Sequence, residues 1–544
     1  MPWKISSRTM TAVAACYFVV FLNFSFWRAV WRRLVVDDVL DAAFAGSLPL
    51  VMWLALFVAF EILLWPRVAK PLLACLLVLS AAANYFMYEL GVFIDSGMMR
   101  NVFRTDLAEA GEMVNVYGIL WVFVLGVAPS VLLFFTKIDY RPLKTEVRLR
   151  LRAVLAAALV LGVVAAVLHR PYLKKGKDHR VLSKLMNPVN YLVSGSRFVA
   201  WWAMHGGEVL VIDPDPTHNP DEDPYPAVLV LVVGETARSV SFSLNGYGRE
   251  TNPKLSRQDV ISFPDVSASA TYTDFALPCM FSHLTRKEFD VEAAFNSEGL
   301  LDILSRAGYD AFWYDNYGGS KGAADRVYFE DLRETGDAKW RNGDFNYDEV
   351  LLDSLRDRMG KIERDTVIVL HTMGSHGPRY YRRYPEAFRV FTPIYETPDV
   401  QNHPYEQVVN TYDNTIVYTD HVLSEAIDIL KKYPQYESCL LYLSDHGESL
   451  GENGLFLHGA PYEVAPREQL QVPFIVWLSE TMKRGADVEW AGLRAAAAGM
   501  VLSHDNFFHS VLGLAEVETE LYRQDLDVFR NHRGEGFVPR RTSR

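Results

Sequence analysis

The residues best suited to chemistry lie at the ends of short apolar runs. Asp445 and His446 follow the run Cys439–Leu443, which is typical of a buried strand. A carboxylate oxygen beside an imidazole nitrogen suits Zn²⁺, and open α/β sheets build their sites at the carboxyl ends of their strands. Taken alone, this pair is equally compatible with a turn that carries a capping aspartate.

Other strand-like runs are also followed by polar side chains that could take part in chemistry. Glu235 follows one run directly, His376 lies shortly after a second, and Lys321 ends a glycine-rich turn after a third. His458 lies twelve residues beyond His446. Each residue by itself could be a helix cap, a turn hydrogen bond or a solvated cation. Their shared position at one sheet edge predicts a joint site.

A nucleophile is expected near Thr273, in a loop that enters a helix. A hydroxyl at a helix N-terminus gains from the helix dipole, and coordination by Zn²⁺ would favour its ionised form. Thr271 and Ser269 are nearby rivals, and the local sequence does not separate the three.

Strands that alternate with helices after residue 226 predict a parallel sheet covered on both faces. The predicted strands are Ala227–Val233, Ala311–Tyr314, Thr366–Leu370, Cys439–Leu443 and Phe474–Leu478. The predicted helices are Leu300–Ala307, Glu349–Ile362, Glu406–Lys432 and His504–Leu514.

Five segments in the first 170 residues lack Asp, Glu, Lys and Arg and have about the length of a membrane helix. They are Thr9–Trp27, Ala42–Phe60, Pro71–Tyr88, Met113–Thr136 and Ala153–His169. With a cytoplasmic N-terminus, the inside segments carry ten Lys and Arg residues and the outside loops five. This distribution favours a multi-pass protein of the bacterial inner membrane whose later domain lies in the periplasm.

The charge is divided along the chain. Residues 1–170 hold 16 basic and 11 acidic residues, a net +5, so the remainder carries −12 − 5 = −17. An acidic outer domain has no basic stripe for nucleic acid.

Cysteine is sparse, and Cys279 and Cys439 are expected to be buried free thiols.

The outer loop at 91–112 predicts one short helix, Met98–Gly111. Asn101, Thr105 and Glu109 recur every fourth residue and would share one of its faces. They form either a solvated face or a site for a lipid headgroup.

The predicted division of the chain is a five-helix transmembrane domain (1–170), an interfacial segment with a linker (171–226) and a catalytic domain (227–544).

Several motifs together resemble the bacterial phosphoethanolamine transferases, which modify lipopolysaccharide. They are Val232–Arg238, Pro278–Ser282, Ser320–Gly322, His371–Pro378 and Ser444–Glu448, with Asn84–Met87 and Met98–Asn101 nearer the N-terminus. The resemblance extends over nearly the whole chain and implies an α/β catalytic domain like that of alkaline phosphatase and the sulfatases.

The resemblance also implies roles for single residues. The implied zinc ligands are Glu235, Thr273, Asp445 and His446, and Thr273 is the implied nucleophile. Lys321, His376 and His458 match substrate or second-metal positions. Asn101, Thr105 and Glu109 match the positions that hold the donor headgroup. One tight zinc site is expected, and the resemblance does not decide whether a second, weaker zinc site exists. Members of this family often carry several disulfides in this domain. One of them would join Cys279 to the position ten residues earlier, but that position is Ser269, so this disulfide is absent.

The expected reaction moves phosphoethanolamine from phosphatidylethanolamine to lipid A or another part of lipopolysaccharide, through a covalent intermediate on Thr273. Polymyxin resistance would follow. One alternative is a phosphoglycerol transferase, which Glu109 disfavours because a carboxylate suits an ammonium better than a glycerol. The Pro and Arg spacing of a sulfatase nucleophile is not found around Thr273. An inactive membrane scaffold would be expected to have lost a ligand or the nucleophile.

Overall fold

The structure is a computed structural model of the 544-residue chain. It describes residues 4–33, 39–94, 98–99, 102–103, 111, 113–178, 180–204, 209–218, 225–333, 338–343 and 345–533. The chain divides into two compact units, Met1–Met99 with Val114–Phe198, and Arg100–Met113 with Val199–Arg544.

The first unit is built from long apolar helices. They are α1 (Ser7–Phe21), α2 (Phe24–Arg33), α3 (Val39–Leu63), α4 (Ala69–Glu89), α5 (Val116–Phe135), α6 (Leu143–Asp178) and α7 (Val189–Met204). Two short strands, β1 (Lys4–Ser6) and β2 (Lys137–Asp139), pair in parallel. Within the part of the chain that the structure describes, four helices are long and apolar enough to cross a membrane, and α1 with α2 forms a fifth candidate, bent by 52°. The predicted membrane domain of five helices agrees with this count.

The last span begins earlier than the charge pattern predicted. α6 starts at Leu143 rather than Ala153 and so includes Arg150, which is buried. Arg150 Nε lies 3.0 Å from Glu146 Oε1, and its other nitrogens donate to the carbonyl oxygens of Glu61 and Leu64. A guanidinium whose hydrogen bonds are met in this way can remain within a helical bundle.

The second unit is an α/β domain. Its strands are β3 (Ala227–Gly234), β4 (Val260–Ser267), β5 (Asp310–Asp315), β6 (Tyr328–Asp331), β7 (Arg341–Asn342), β8 (Phe345–Asn346), β9 (Thr366–His371), β10 (Glu437–Ser444), β11 (Ser449–Leu450), β12 (Phe456–Leu457), β13 (Gln471–Leu478) and β14 (Val501–Ser503). Its helices are α8 (Thr273–Met280), α9 (Val291–Ala294), α10 (Leu300–Arg306), α11 (Glu349–Met359), α12 (Tyr405–Leu430), α13 (Arg467–Leu470), α14 (Glu480–Gly485), α15 (Trp490–Ala497) and α16 (Asp505–Leu514). All five predicted strands and all four predicted helices are present.

Eight strands form the central sheet, in the order β14-β4-β13-β10-β3-β9-β5-β6. Strands β10, β3, β9 and β5 are mutually parallel, so their carboxyl ends meet at one edge. The interior of β3 is fully apolar and buried, because helices cover both faces of a parallel sheet. This sheet positions the groups that follow each strand.

The predicted parallel sheet is present, but it also contains an antiparallel strand. β13 runs antiparallel to both β10 and β4. A parallel return needs a crossover helix, whereas residues 445–470 remain at the edge where β10 ends, and β13 begins there. The connection therefore contributes its own side chains to that edge.

Candidate active site

Three side chains that could bind a metal ion meet at the carboxyl edge of the sheet. Glu235 follows β3, and Asp445 and His446 follow β10, whose last residue pairs with the last residue of β3. One ligand atom from each of the three lies within 4.8 Å of the others, and all three side chains are buried. The register of two neighbouring strands thus brings together residues that are about 210 positions apart in the chain.

The spacing of these atoms fits a small tetrahedral ion. His446 Nε2 lies 3.4 Å from Glu235 Oε1 and 3.4 Å from Asp445 Oδ2. Ligands about 2.1 Å from a tetrahedral zinc ion are about 3.4 Å apart. His446 Nδ1 is 2.9 Å from the carbonyl oxygen of Gly447, which leaves Nε2 as the metal-binding nitrogen. Asp445 Oδ2 is buried and has no hydrogen-bond partner among the described residues, as expected of an oxygen that binds a cation.

The electrostatics of the site also favour a cation. Burial and the charge of Asp445 hold the pKa of Glu235 well above its ordinary value. Two carboxylates removed from water and placed against each other are difficult to ionise together. A divalent ion between them would remove that penalty.

Thr273 is the first residue of α8, and its hydroxyl lies against the metal-binding groups. Its Oγ1 is 3.1 Å from Glu235 Oε2 and 3.4 Å from His446 Nε2. The two rival hydroxyls point elsewhere. Thr271 donates to the carbonyl oxygen of Ala460 at 2.6 Å, and Ser269 Oγ lies 3.2 Å from His504 Nδ1.

Two further histidines extend the site beyond the metal-binding groups. The ring of His458 lies 4.4 Å from that of His446, and the ring of His376 lies 5.5 Å from that of His458, centroid to centroid. Burial lowers the pKa of His458 to about 4. Burial lowers the pKa of His376 well below its usual value, and the nearby Arg383 guanidinium adds to this effect. Both rings are therefore neutral at pH 7 and can accept a proton.

Lys321 brings a cation to the same region. Its Nζ lies 4.0 Å from Asp274 Oδ1, next to Thr273 in α8, and 5.5 Å from the centre of the Tyr317 ring. The Tyr317 ring in turn lies 5.3 Å from the ring of His376. An ammonium at this position can balance the charge of a phosphate group at the threonine.

Sequence reasoning assigned no role to Glu448, although it ends the motif that contains Asp445. Its side chain is fully buried, and Oε1 lies 3.4 Å from His458 Nδ1 while Oε2 accepts from the hydroxyl of Tyr380 at 3.0 Å. Burial raises the pKa of Glu448 to about 8. Its position in the motif was the available signal, but its two partners lie on other loops.

Sequence reasoning also assigned no role to Asp315 and His371, which form a buried pair. They end two neighbouring strands in register, and Asp315 Oδ1 lies 2.7 Å from His371 Nδ1. Both are fully buried. The His371 ring packs 5.2 Å from the ring of Tyr317, so this pair supports the ring that also contacts His376.

The three residues predicted to hold the donor headgroup cannot be placed. Asn101, Thr105 and Glu109 lie outside the described residues, as does most of the predicted helix Met98–Gly111.

The predicted thiols are confirmed. Cys279 and Cys439 are both free and buried, and burial raises the pKa of Cys279 to about 12. Helix α8, which contains Cys279, is thus held by packing rather than by a disulfide at Cys279.

Comparison with known proteins gives matches along both units. Residues 52–201 match the family model described as phosphoethanolamine transferase EptA/EptB, and residues 227–517 match the sulfatase family model. The chain is 38% identical to the phosphoethanolamine transferase EptA of Salmonella typhimurium, over 94% of each chain. It is 33% identical to the phosphatidylethanolamine transferase Mcr-1 of Escherichia coli, over 95% of this chain and 96% of that one.

A solved structure resembles the chain along its whole length. The integral membrane lipooligosaccharide phosphoethanolamine transferase A of Neisseria meningitidis superposes with a TM-score of 0.94 at 32% identity. The match covers 98% of this chain and 100% of that one.

Proposed function

Because this chain belongs to the phosphoethanolamine transferase family and is a phosphoethanolamine transferase, we propose its donor, acceptor and mechanism. The donor is phosphatidylethanolamine, and the acceptor is lipid A or another part of lipopolysaccharide. The names of two relatives support this choice, one a phosphatidylethanolamine transferase and the other a lipooligosaccharide phosphoethanolamine transferase.

The proposed location is the bacterial inner membrane, with the catalytic domain in the periplasm. The excess of Lys and Arg in the segments assigned to the cytoplasm supports this orientation. A membrane domain over 1–170, a bridging segment over 171–226 and a catalytic domain over 227–544 remain our proposed division of the chain. Attachment to the membrane would keep the site near two lipids that do not diffuse through water.

The observation that carries the mechanism is the position of the Thr273 hydroxyl, 3.1 Å from Glu235 and 3.4 Å from His446. With Asp445, these residues supply four potential zinc ligands. Zn²⁺ held by them would neutralise the buried carboxylates and favour loss of the Thr273 proton. The orphaned oxygen of Asp445 supports this assignment.

In the proposed first step, Thr273 Oγ forms a bond to the phosphorus of phosphatidylethanolamine. The bond between that phosphorus and the diacylglycerol oxygen breaks, and the proton lost by Thr273 reaches the departing oxygen through His376 or His458. Both rings are neutral at pH 7 and can accept the proton before passing it on. Lys321 balances the negative charge on the phosphate oxygens.

In the second step an acceptor oxygen attacks the same phosphorus. Thr273 Oγ departs, and the proton of the acceptor hydroxyl returns to it by the same histidines.

Asn101, Thr105 and Glu109 are proposed to hold the ammonium-bearing headgroup of the donor, as the family resemblance implies. Phosphoethanolamine on lipid A adds a positive charge to the outer surface, which would weaken binding of cationic polymyxins and confer resistance.

The test is to supply the full-length protein with phosphatidylethanolamine and no acceptor. One phosphoethanolamine group should accumulate on Thr273, as found by intact mass and peptide mapping. Thr273→Ala should abolish both the adduct and diacylglycerol release, while Thr271→Ala should retain both. An adduct on Thr271 or Ser269, or full turnover by Thr273→Ala, would show that the nucleophile is misassigned.

Two further measurements separate the alternatives. An adduct formed from phosphatidylglycerol but not from phosphatidylethanolamine would identify a phosphoglycerol transferase instead. Mass spectrometry of lipid A, core sugars and periplasmic glucans, from cells with and without the protein, identifies the acceptor. Modification confined to the glucans would contradict the lipopolysaccharide assignment.

A further inference from the structure

A large apolar groove runs along the membrane unit between α1, α4 and α5. Its volume is about 840 Å³, within the range of about 300–1,000 Å³ found for pockets that bury small ligands. Val13, Leu73 and Leu132 are among its lining residues, and Thr9 and Thr136 lie at one end. A groove of this composition can accept a hydrocarbon chain along the helices.

The end of the groove with the two threonines is closed by the β1–β2 ribbon. Lys4 pairs with Lys137, and Ile5 with Ile138. Because side chains alternate along a strand, the isoleucines share one face and the lysines the other. Ile5 lines the groove, so the lysines face away from it, toward the aqueous boundary of the membrane.

A third cation lies at the same end. Lys70, at the start of α4, donates from Nζ to the carbonyl oxygen of Phe134 at 3.0 Å, two residues before the groove residue Thr136. Asp139 is the acidic residue of the ribbon, and its Oδ2 lies 3.5 Å from Lys4 Nζ. Three ammonium groups against one carboxylate leave this rim positively charged.

We propose that this groove binds one phospholipid with an anionic headgroup, such as phosphatidylglycerol. An acyl chain lies along the apolar lining, and the phosphodiester lies at the rim beside Lys4, Lys70 and Lys137. A headgroup that carries its own ammonium gains less from a basic rim than one with net negative charge. Charge complementarity therefore selects the lipid class, while the apolar lining supplies the chain contact.

This groove is separate from the region proposed to hold the donor. α4 runs from Ala69 to Glu89 and α5 from Val116 to Phe135. Lys70 and Phe134 meet at one end of this antiparallel pair, and the 91–112 loop joins the other end. By the proposed orientation, the groove opens to the cytoplasmic leaflet. The lipid would be a resident ligand rather than a substrate.

The experiment is native mass spectrometry of the full-length protein in detergent, with equal amounts of phosphatidylglycerol and phosphatidylcholine. Neither is the proposed donor, so the result does not depend on catalysis. The protein should retain one phosphatidylglycerol in preference to phosphatidylcholine. Lys4→Gln combined with Lys137→Gln should reduce that preference about 10-fold.

Two variants make the test specific. Lys144→Gln removes a cation from α6, which does not line the groove, and should leave the preference unchanged. Val13→Trp changes an exposed position in the lining and should weaken retention of either lipid by narrowing the groove. Circular dichroism and gel filtration confirm that each variant is folded.

The proposal is overturned by equal retention of the two lipids, or by a preference that survives the double lysine substitution. A dimer that dissociates on Val13→Trp, with no lipid retained by the unsubstituted protein, would assign the groove to a second copy of the chain.

Discussion

Gly374 offers a direct test of how the backbone positions a metal-binding carboxylate. It lies in the loop after β9 with a φ of 54°, the left-handed region that favours glycine. A Cβ at this position would lie 2.6 Å from the carbonyl oxygen and 3.3 Å from the Cβ of Glu235. Gly374→Ala is therefore expected to move Glu235.

The size of the effect follows from these distances. Ordinary van der Waals contact begins at 3.4 Å, so the carbonyl must retreat by 3.4 − 2.6 = 0.8 Å. Groups at a catalytic site must be held to within about 0.5 Å, and a displacement near 1 Å can reduce the rate about 100-fold. The left-handed backbone should cost a further 1–2 kcal/mol or so of folding free energy for any non-glycine residue.

The matched control is Gly246→Ala. Gly246 also has a left-handed φ, 92°, but a Cβ there would meet nothing within 4 Å. Both variants should lose the stability that the left-handed backbone costs, and Gly374→Ala should lose more in thermal unfolding of the metal-free protein because its Cβ also meets the Glu235 carbonyl oxygen. Gly374→Ala alone should also bind zinc less tightly and transfer phosphoethanolamine about 100-fold more slowly. If both variants kept the same zinc affinity and turnover, the close approach of Gly374 would not be what positions Glu235.

Three further outcomes are expected. Chelation should lower the melting temperature because the buried carboxyl groups of Glu235 and Asp445 lose the cation that balances their charge, and added zinc should restore about 4 kcal/mol at a thousandfold excess over its Kd; an Asp445→Asn protein that responds equally would contradict the site. Glu448→Ala should lower kcat about 10-fold with zinc still bound, because His458 loses the carboxyl group that lies 3.4 Å from its Nδ1; an unchanged kcat would exclude that role. Burial and a neighbouring positive charge lower the pKa of His509 to about 4, so the unfolded chain binds the extra proton and stability should fall by about 2 kcal/mol from about pH 7 to about pH 5. Urea unfolding at both pH values should show a smaller loss for His509→Asn.

The sequence by itself located the strands and the groups at their ends. Runs such as Ala227–Val233 are apolar throughout because parallel strands are buried on both faces, and that pattern is local. The placement of Glu235, Asp445 and His446 at one edge follows from the direction of parallel strands. The membrane spans could also be predicted from the sequence, because a helix that crosses the lipid interior needs a long run of apolar residues.

Tertiary structure alone decided which side chains meet. Ser269, Thr271 and Thr273 have similar local sequences, and only the entry of the chain into α8 turns Thr273 toward Glu235, 38 residues away. The reversed direction of β13 depended on a connection that stays at the sheet edge instead of crossing over. The contact of Glu448 with Tyr380 joins loops 68 residues apart. Such contacts are set by strand register and loop packing, which no local pattern of residues encodes.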